Sequence, residues 1–307
     1  MGRQYLNLDA NETIFFEREL NYVKARSYDV QYPQLLARQL FPVDSTADTG
    51  AKTITYESYD HIGIAKLIHA YAQDLPNIEI TGHETTVKIY SLGCSFGYSI
   101  QDIRSARMAG KPLEQRKANA ARYQMAKLEN DLAFYGDTST NIVPFINHPN
   151  TIKPTIPAGA STFTTWVTKT PDEIIADVGI LVAAIRDTTN GIETPNTLLL
   201  PEGQYTHIAT TPRSPTSDTT ILNFILSSNP WVREIIPVWN LKGAGPSGVD
   251  VAILYDRNPD KLTLEVPQET EFLPVQEHAL MFEVPVHGRT AGTIVYYPKS
   301  IAQGNGI

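Results

Sequence analysis

Residues Pro112–Asp137 read PLEQRKANAARYQMAKLENDLAFYGD. Pro112 stands where the first turn of a helix tolerates proline, and Gly136 is a natural terminator. Ala118, Ala121, Met125, Leu128, Leu132 and Tyr135 recur at steps of three or four and share one face. Arg116, Asn119, Tyr123, Lys127 and Asn130 fall on the opposite face, which reads as a polar strip. At 1.5 Å per residue the helix would span about 36 Å, comparable to the diameter of a small domain. It carries no recognisable catalytic pattern. The longest helix of the chain therefore reads as a spacer that holds two surfaces apart.

The chain around it has 307 residues, enough for two sub-domains or one domain with large excursions. Hydrophobic residues make up 42% and charged residues 19%, which suits a globular protein and excludes a largely disordered one. The net charge of −8 argues against a broad grip on a nucleic acid backbone, which needs clustered Lys and Arg. Cys94 is the only cysteine, so no intrachain disulfide and no cysteine-based metal site can form. The opening residues MGRQYLNLDANETIFFEREL lack the apolar stretch of a signal peptide, and Leu6 stands where a myristoylation motif wants Ser or Thr. No apolar run approaches the roughly 18 residues of a membrane span. These features predict a soluble, internally made protein.

Upstream of the long helix, Glu12–Ala25 predicts a short helix, followed by an irregular Tyr- and Pro-containing stretch through Pro42. This arm has too few apolar residues for a core of its own and must lie on something else. Asp44–Gly50 reads as a loop. From Thr53, β-branched and aromatic residues predict a strand, and Thr85–Leu92 predicts a second. With a Pro- and Gly-containing tip between them they describe a long hairpin of mixed polarity. Such a hairpin is marginal alone and needs a partner surface.

Downstream, Asn147–Thr168 is a Pro- and Thr-rich connector where a sub-domain boundary is expected. Thr170, Pro171 and Glu173 form a capping box with proline in the first turn. Ile174, Val178, Leu181 and Ile185 form the stripe of the helix they open, and Asn190-Gly191 ends it. TLLLP, REIIPVW and VDVAILYD predict strands, GQYTHIAT a short helix, and SDTTILNFILSS a helix capped near Asp218. The remainder is strand-rich, with prolines suggesting edges or bends. Helices and strands interleave without βαβ repetition, so the class is α+β.

Two motif matches carry chemistry on paper. Gly93–Gly97, GCSFG, fits the G-x-S-x-G elbow, with Ser95 as nucleophile and His278 or His287 downstream. Bulky Tyr98 and a half-polar preceding strand argue instead for a bend where a hairpin strand turns into a helix. Gly243–Gly248, GAGPSG, fits G-x-G-x-x-G, but Pro246 and a following strand make it a strand-to-strand loop rather than a dinucleotide site. The seven histidines form no H-x-x-x-H pair, and Glu269 and Glu271 read as solvated loop residues. The sequence implies no catalytic residue, no cofactor and no metal.

The order of parts resembles the major capsid proteins of tailed phages with the Hong Kong 97 fold, which encapsulin shells share. The resemblance is carried by IRSARMAGKPLEQRKANAARYQMAKLENDLAFYGD at Ile103–Asp137, and by TPDEIIADV at Thr170–Val178. TPRSPTSDTTILNFIL at Thr211–Leu226 and the stretch from Asn258 to Pro298 extend it over nearly the whole chain. It implies an N-terminal arm (1–43) and an extended E-loop hairpin (44–92) lying across a neighbouring subunit. It implies a peripheral P domain (93–165 and 257–291) with a spine helix at 112–135, and an axial A domain (166–256 and 292–307). Lys66, Asp74, Glu79, Arg116, Arg213 and Lys242 are the candidate intersubunit contacts on that view. The implied function is an icosahedral shell of pentamers and hexamers around a phage genome of double-stranded DNA, held without sequence-specific binding. The implied partners are other copies of the chain, with portal, scaffold or decoration proteins beyond them and no membrane. The implied place is the virion, with assembly in the host bacterial cytoplasm. An encapsulin-type nanocompartment is the alternative within the fold, and a serine hydrolase using Ser95 the alternative outside it.

Overall fold

The computed structural model describes residues 31–65, 67, 77–110 and 113–307, so the helix expected over Glu12–Ala25 and the proline at 112 lie outside the described residues. Residues from Leu35 onward form one unit. A short helix α1 (Ala37–Leu40) and strand β1 (Val43–Asp44) lead into β2 (Thr53–Ile62), β3 (Glu79–Lys88) and β4 (Tyr90–Ser99). Helices α2 (Ile100–Ala109) and α3 (Leu113–Tyr135) follow, then α4 (Pro171–Thr188), β5 (Thr197–Leu200), α5 (Glu202–Thr210), α6 (Ile221–Ser228) and β6 (Glu234–Pro237). Strands β7 (Val251–Tyr255), β8 (Leu262–Glu265), β9 (Gln268–Phe272), β10 (Gln276–His278), β11 (Met281–Thr290), β12 (Gly292–Val295) and β13 (Ile301–Asn305) complete the chain.

One sheet has the order β13-β7-β5-β6 and is buried on both faces. Strand alternation divides its side chains between two cores. Leu199, Ile253, Tyr255 and Ile301 face one side, against Phe41, Phe134 and Phe145. Leu198, Leu200, Leu254 and Ala302 face the other, against Ile174, Val178, Leu181 and Ile185 of α4 and Ile221 and Ile225 of α6. Two-sided burial is why TLLL is apolar without alternation. The predicted capping box is present: Thr170 N–H donates to Glu173 Oε2 at 2.8 Å, and Glu173 N–H donates to Thr170 Oγ1 at 3.4 Å. Helix α6 is capped by Thr220 rather than near Asp218.

A second sheet places β11 between β4 on one edge and β9 and β10 on the other. Helix α3 lies on one face of it, with Ala121 and Met125 against Val286, Leu92, Cys94, Phe96 and Phe272. Proline 285 thus sits inside a central strand, not at an edge or bend. Its carbonyl accepts from Leu273 N–H at 2.9 Å, so its nitrogen faces the gap between β9 and β10 and no donor toward β4 is lost. A third sheet, β1-β8-β12, carries the chain back past the end of α3.

The stripe of α3 differs from the expected one. Leu128 and Tyr135 are exposed at 43% and 45%, whereas Glu129 and Asn130 are buried. Asn130 Oδ1 accepts the N–H groups of Leu36 and Ala37 at 3.1 Å each, closing the start of α1. Glu129 takes a two-pronged ion pair from Arg38 at 2.6 and 2.8 Å, and Arg38 also reaches Glu269 at 2.8 and 2.9 Å. These polar side chains are buried because the stretch after Gln34, read as arm, is built into this core through Ala37, Leu40 and Phe41. Gly136 ends the helix as expected, with φ +60°, and donates to Leu132 O at 3.0 Å.

Candidate intersubunit surfaces

The hairpin is a ten-pair antiparallel ladder from Thr53↔Lys88 to Ile62↔Glu79. Its second strand starts at Glu79, six residues before the expected Thr85, and Tyr90–Leu92 belong to the next sheet. Among the described residues only the base meets the body of the chain. Ile54, Tyr56, Thr85 and Val87 are half-buried there, and the ring of Tyr56 stands edge-on to Tyr296 at 5.0 Å. A cavity of about 470 Å³ remains under this base, lined by Tyr56, Thr85, Tyr90, His148 and Tyr296 among others, so the joint is not sealed. Burial there, with the Lys153 charge nearby, pushes the His148 imidazole below its ordinary value. Beyond the base both faces are bare: Tyr59, Ile62, Ile64, Ile78 and Ile80 are 54–74% exposed and Leu67 is fully exposed. Long exposed apolar strands invite pairing with another chain unless something covers them.

A second bare region joins α2 to the turn between β10 and β11. Ser99 caps α2 through a capping box with Asp102, and Ile100 N–H donates to Leu280 O at 3.1 Å. Helix α2 has no buried residue. Met108 is 94% exposed, and Leu280, Val275 and Met281 are exposed nearby in the chain's last hairpin. The alternation of β4 explains GCSFG. Leu92, Cys94 and Phe96 turn under α3, and Gly93, Ser95 and Gly97 form the other row of the strand. Burial pushes the Cys94 thiol up.

Among the expected contact residues, Lys66 and Asp74 lie outside the described residues. Glu79 is exposed at the last described rung of the hairpin, where Asn77 Nδ2 approaches it at 3.5 Å. Arg116 is exposed on α3. Arg213 is spent within the chain: it pairs with Asp172 and stacks over Phe224 at 5.0 Å. Lys242 is exposed beside the turn at Trp239–Leu241. Glu79 on β3, Arg116 on α3 and Lys242 after the turn at Trp239–Leu241 lie on three different elements.

The enzymatic patterns do not assemble. Ser95 lies in mid-strand opposite Pro285, not on a strand-to-helix elbow, and His278 is directed at Glu283 at 3.8 Å. His287 opposes Gly93 and makes no hydrogen bond to Ser95 among the described residues. The bend expected at GCSFG is therefore straight strand, with the turn into helix delayed to Ser99. The GAGPSG loop uses its own acid: Gly243 N–H donates to Asp250 Oδ1 at 2.9 Å. Glu269 and Glu271 lie on β9 rather than in a loop, one bound to Arg38 and the other to Gln268. Among the described residues no group of three His, Cys, Asp or Glu could hold a metal, and no helix is long and apolar enough to cross a membrane. Sequence reasoning missed α2 as a surface in its own right. Its signal was a capped ten-residue helix with two arginines and almost no apolar stripe.

A family model described as "Major capsid protein" matches residues 63–307. No curated protein matches the chain. Among solved structures, the capsid of Myoviridae phage XM1 is similar over 96% of this chain and 99% of its own, with a TM-score of 0.84 at 15% identity. A chain of Mycobacterium phage Bobi is similar over 94% and 96%, with a TM-score of 0.65 at 16% identity. A virus-like particle from Pyrococcus furiosus is similar over 88% and 91%, with a TM-score of 0.52 at 14% identity.

Proposed function

The chain belongs to the major capsid protein family, and from that premise we propose that it closes an icosahedral shell of pentamers and hexamers around double-stranded DNA. Its fold is α+β of the Hong Kong 97 type and its function is to form a capsid shell. The observation that carries the fuller reading is the hairpin. Its outer rungs project from the body and bury nothing against the described residues of their own chain. A structure of this kind is stable only when a neighbour covers it. Each contact is modest, but a closed shell repeats them, so assembly is cooperative.

On this reading the α3–β4–β11 layer is the peripheral domain, and the two-faced sheet with α4, α5 and α6 is most of the axial domain. The loops at Arg213–Ser217 and Gly243–Gly248 then stand toward the capsomer axis. The net charge of −8 suits DNA that is enclosed rather than gripped. The chain performs no catalytic step. It assembles in the host bacterial cytoplasm and takes portal, scaffold or decoration proteins as further partners.

Electron microscopy of the purified protein tests the reading, with closed particles as the expected result. The discriminating variant replaces residues 59–82 by Asn-Gly, because Tyr59 and Gly82 are directly opposed and the rungs from Thr53 to Ser58 remain. This subunit should fold and fail to close. Normal shells from it would refute the role assigned to the hairpin.

A further inference from the structure

We infer that one face of the hairpin docks onto helix α2 of a second copy of this chain, where Arg104 and Arg107 meet Glu57 and Glu84. The inference deepens the shell reading and rests on it.

Glu57 and Glu84 are exact partners in the β2–β3 register, and both are exposed. Directly opposed side chains on a ladder stand about 5 Å apart at Cβ, and like charges there are destabilising. Tyr59 donates its hydroxyl to Glu57, which leaves Glu84 without a partner among the described residues. No Lys or Arg occurs in 53–64 or 77–87, whereas Glu57, Asp60, Glu79 and Glu84 do. None of these four acids forms an ion pair with its own chain among the described residues. The arm is acidic and apolar, and nothing described on its own subunit answers that charge.

Helix α2 offers the complement. Arg104 and Arg107 are exposed and have no ion-pair partner among the described residues. Asp102, the only acid of the helix, is engaged in its cap. Residues three apart on a helix are about 5–6 Å apart at Cβ, which matches the separation of the two carboxylates. Apolar groups flank the charges on both sides: Met108 follows Arg107 and is 94% exposed, and Tyr59 and Ile80 stand exposed on the same hairpin face as the two glutamates. Gly82 permits this by leaving room for the Tyr59 ring, which passes 3.1 Å from where a Cβ would stand. Arginine–carboxylate pairs around an aromatic and a methionine are the composition that interfaces favour. Because the two halves sit on different elements of one chain, the contact is head-to-tail and repeats from copy to copy.

The test is charge reversal read as the subunit concentration at which light scattering first reports shells. E57K/E84K and R104E/R107E should each raise it about tenfold or more, with unchanged thermal unfolding of the unassembled subunit. The four-residue variant should return it close to wild type. Reversals that assemble at the wild-type concentration, or a four-residue variant no better than either pair, overturn the inference alone. Wild-type protein that never forms shells overturns the shell reading as well. Should a reversal impair folding, the E57Q/E84Q variant must still raise the threshold. A shell reconstruction holding Arg104 and Arg107 more than about 10 Å, one screening length, from every Glu57 and Glu84 is equally decisive against it.

Discussion

Asp177→Ala should be among the most damaging single changes on the α4 side of the β13-β7-β5-β6 sheet. Asp177 Oδ2 receives Lys169 Nζ at 2.6 Å and Trp166 Nε1 at 2.9 Å, and Lys169 also donates to Pro157 O at 2.8 Å. The side chains of the pair are 1% and 2% exposed, so this contact fastens the 157–169 connector to α4 from within. Removing the carboxylate strands an ammonium and an indole N–H beside Trp166 and the α4 core. Breaking a buried pair in this way costs about 3–5 kcal/mol. With an unfolding entropy of about 2.1 cal/mol/K per residue over 307 residues, the midpoint should fall by about 5–8 °C. Lys169→Ala should behave differently with pH. Burial pushes the Asp177 carboxyl above its ordinary value, so without the lysine it can shed its charge by binding a proton. A raised folded-state value contributes stability below the unfolded value and loses it as pH rises. The Lys169→Ala defect should therefore shrink on acidification, and the Asp177→Ala defect should not shrink by this route. The paired change Lys169→Met with Asp177→Leu should cost less than Asp177→Ala, since no buried charge is left unpaired, but not reach wild type, because the Trp166 indole N–H and Pro157 O lose their partners. Urea unfolding of unassembled subunits measures all three. A loss under about 1 kcal/mol for Asp177→Ala, the size of an exposed pair, would refute the reasoning.

Phe134→Ala opens the cluster of Phe41 (5.4 Å between rings), Phe145 and Tyr255, and should cost about 3–5 kcal/mol by the same denaturation. Gly136→Ala should cost at least about 2 kcal/mol, because φ is +60° and the new Cβ runs into Ile142 O and Pro144 N; circular dichroism melts report it. Burial raises the carboxyl of Glu265, which is held by Thr263 at 2.6 Å and Tyr296 at 3.2 Å. Wild type should therefore lose stability as pH climbs from the ordinary carboxylate value through the raised one. Glu265→Gln should lack that slope in urea midpoints taken across the same range.

The helix starts and stops were legible because local chemistry sets them: Thr170 with Glu173, Asn190 with Gly191, and Gly136 each act within a few residues. The apolar stripe of α4 was legible for the same reason, since Ile174, Val178, Leu181 and Ile185 all face one core. What escaped was long-range. Asn130 and Glu129 look like surface residues until the segment at 36–38 arrives from more than ninety positions away to use them. Ser95 looks like a nucleophile until β11 pairs with its strand and shows GCSFG to be alternating rows. The surfaces were legible only as an excess: a hairpin with too much apolar content for a free arm. Which of its residues matter depended on the register, and it is the register that sets Glu57 against Glu84.

That register also separates folding from assembly. Every rung of β2 and β3 is made within one stretch of chain, and only the base touches Tyr296. The two cores take nothing from the outer hairpin. Damage to Phe134 or Asp177 should therefore appear in the unfolding of an isolated subunit, whereas damage beyond Ser58 should appear only when subunits meet. If the truncated hairpin lowered subunit stability as much as Phe134→Ala does, the hairpin would be part of the core, and its exposed isoleucines would need another explanation than a neighbour.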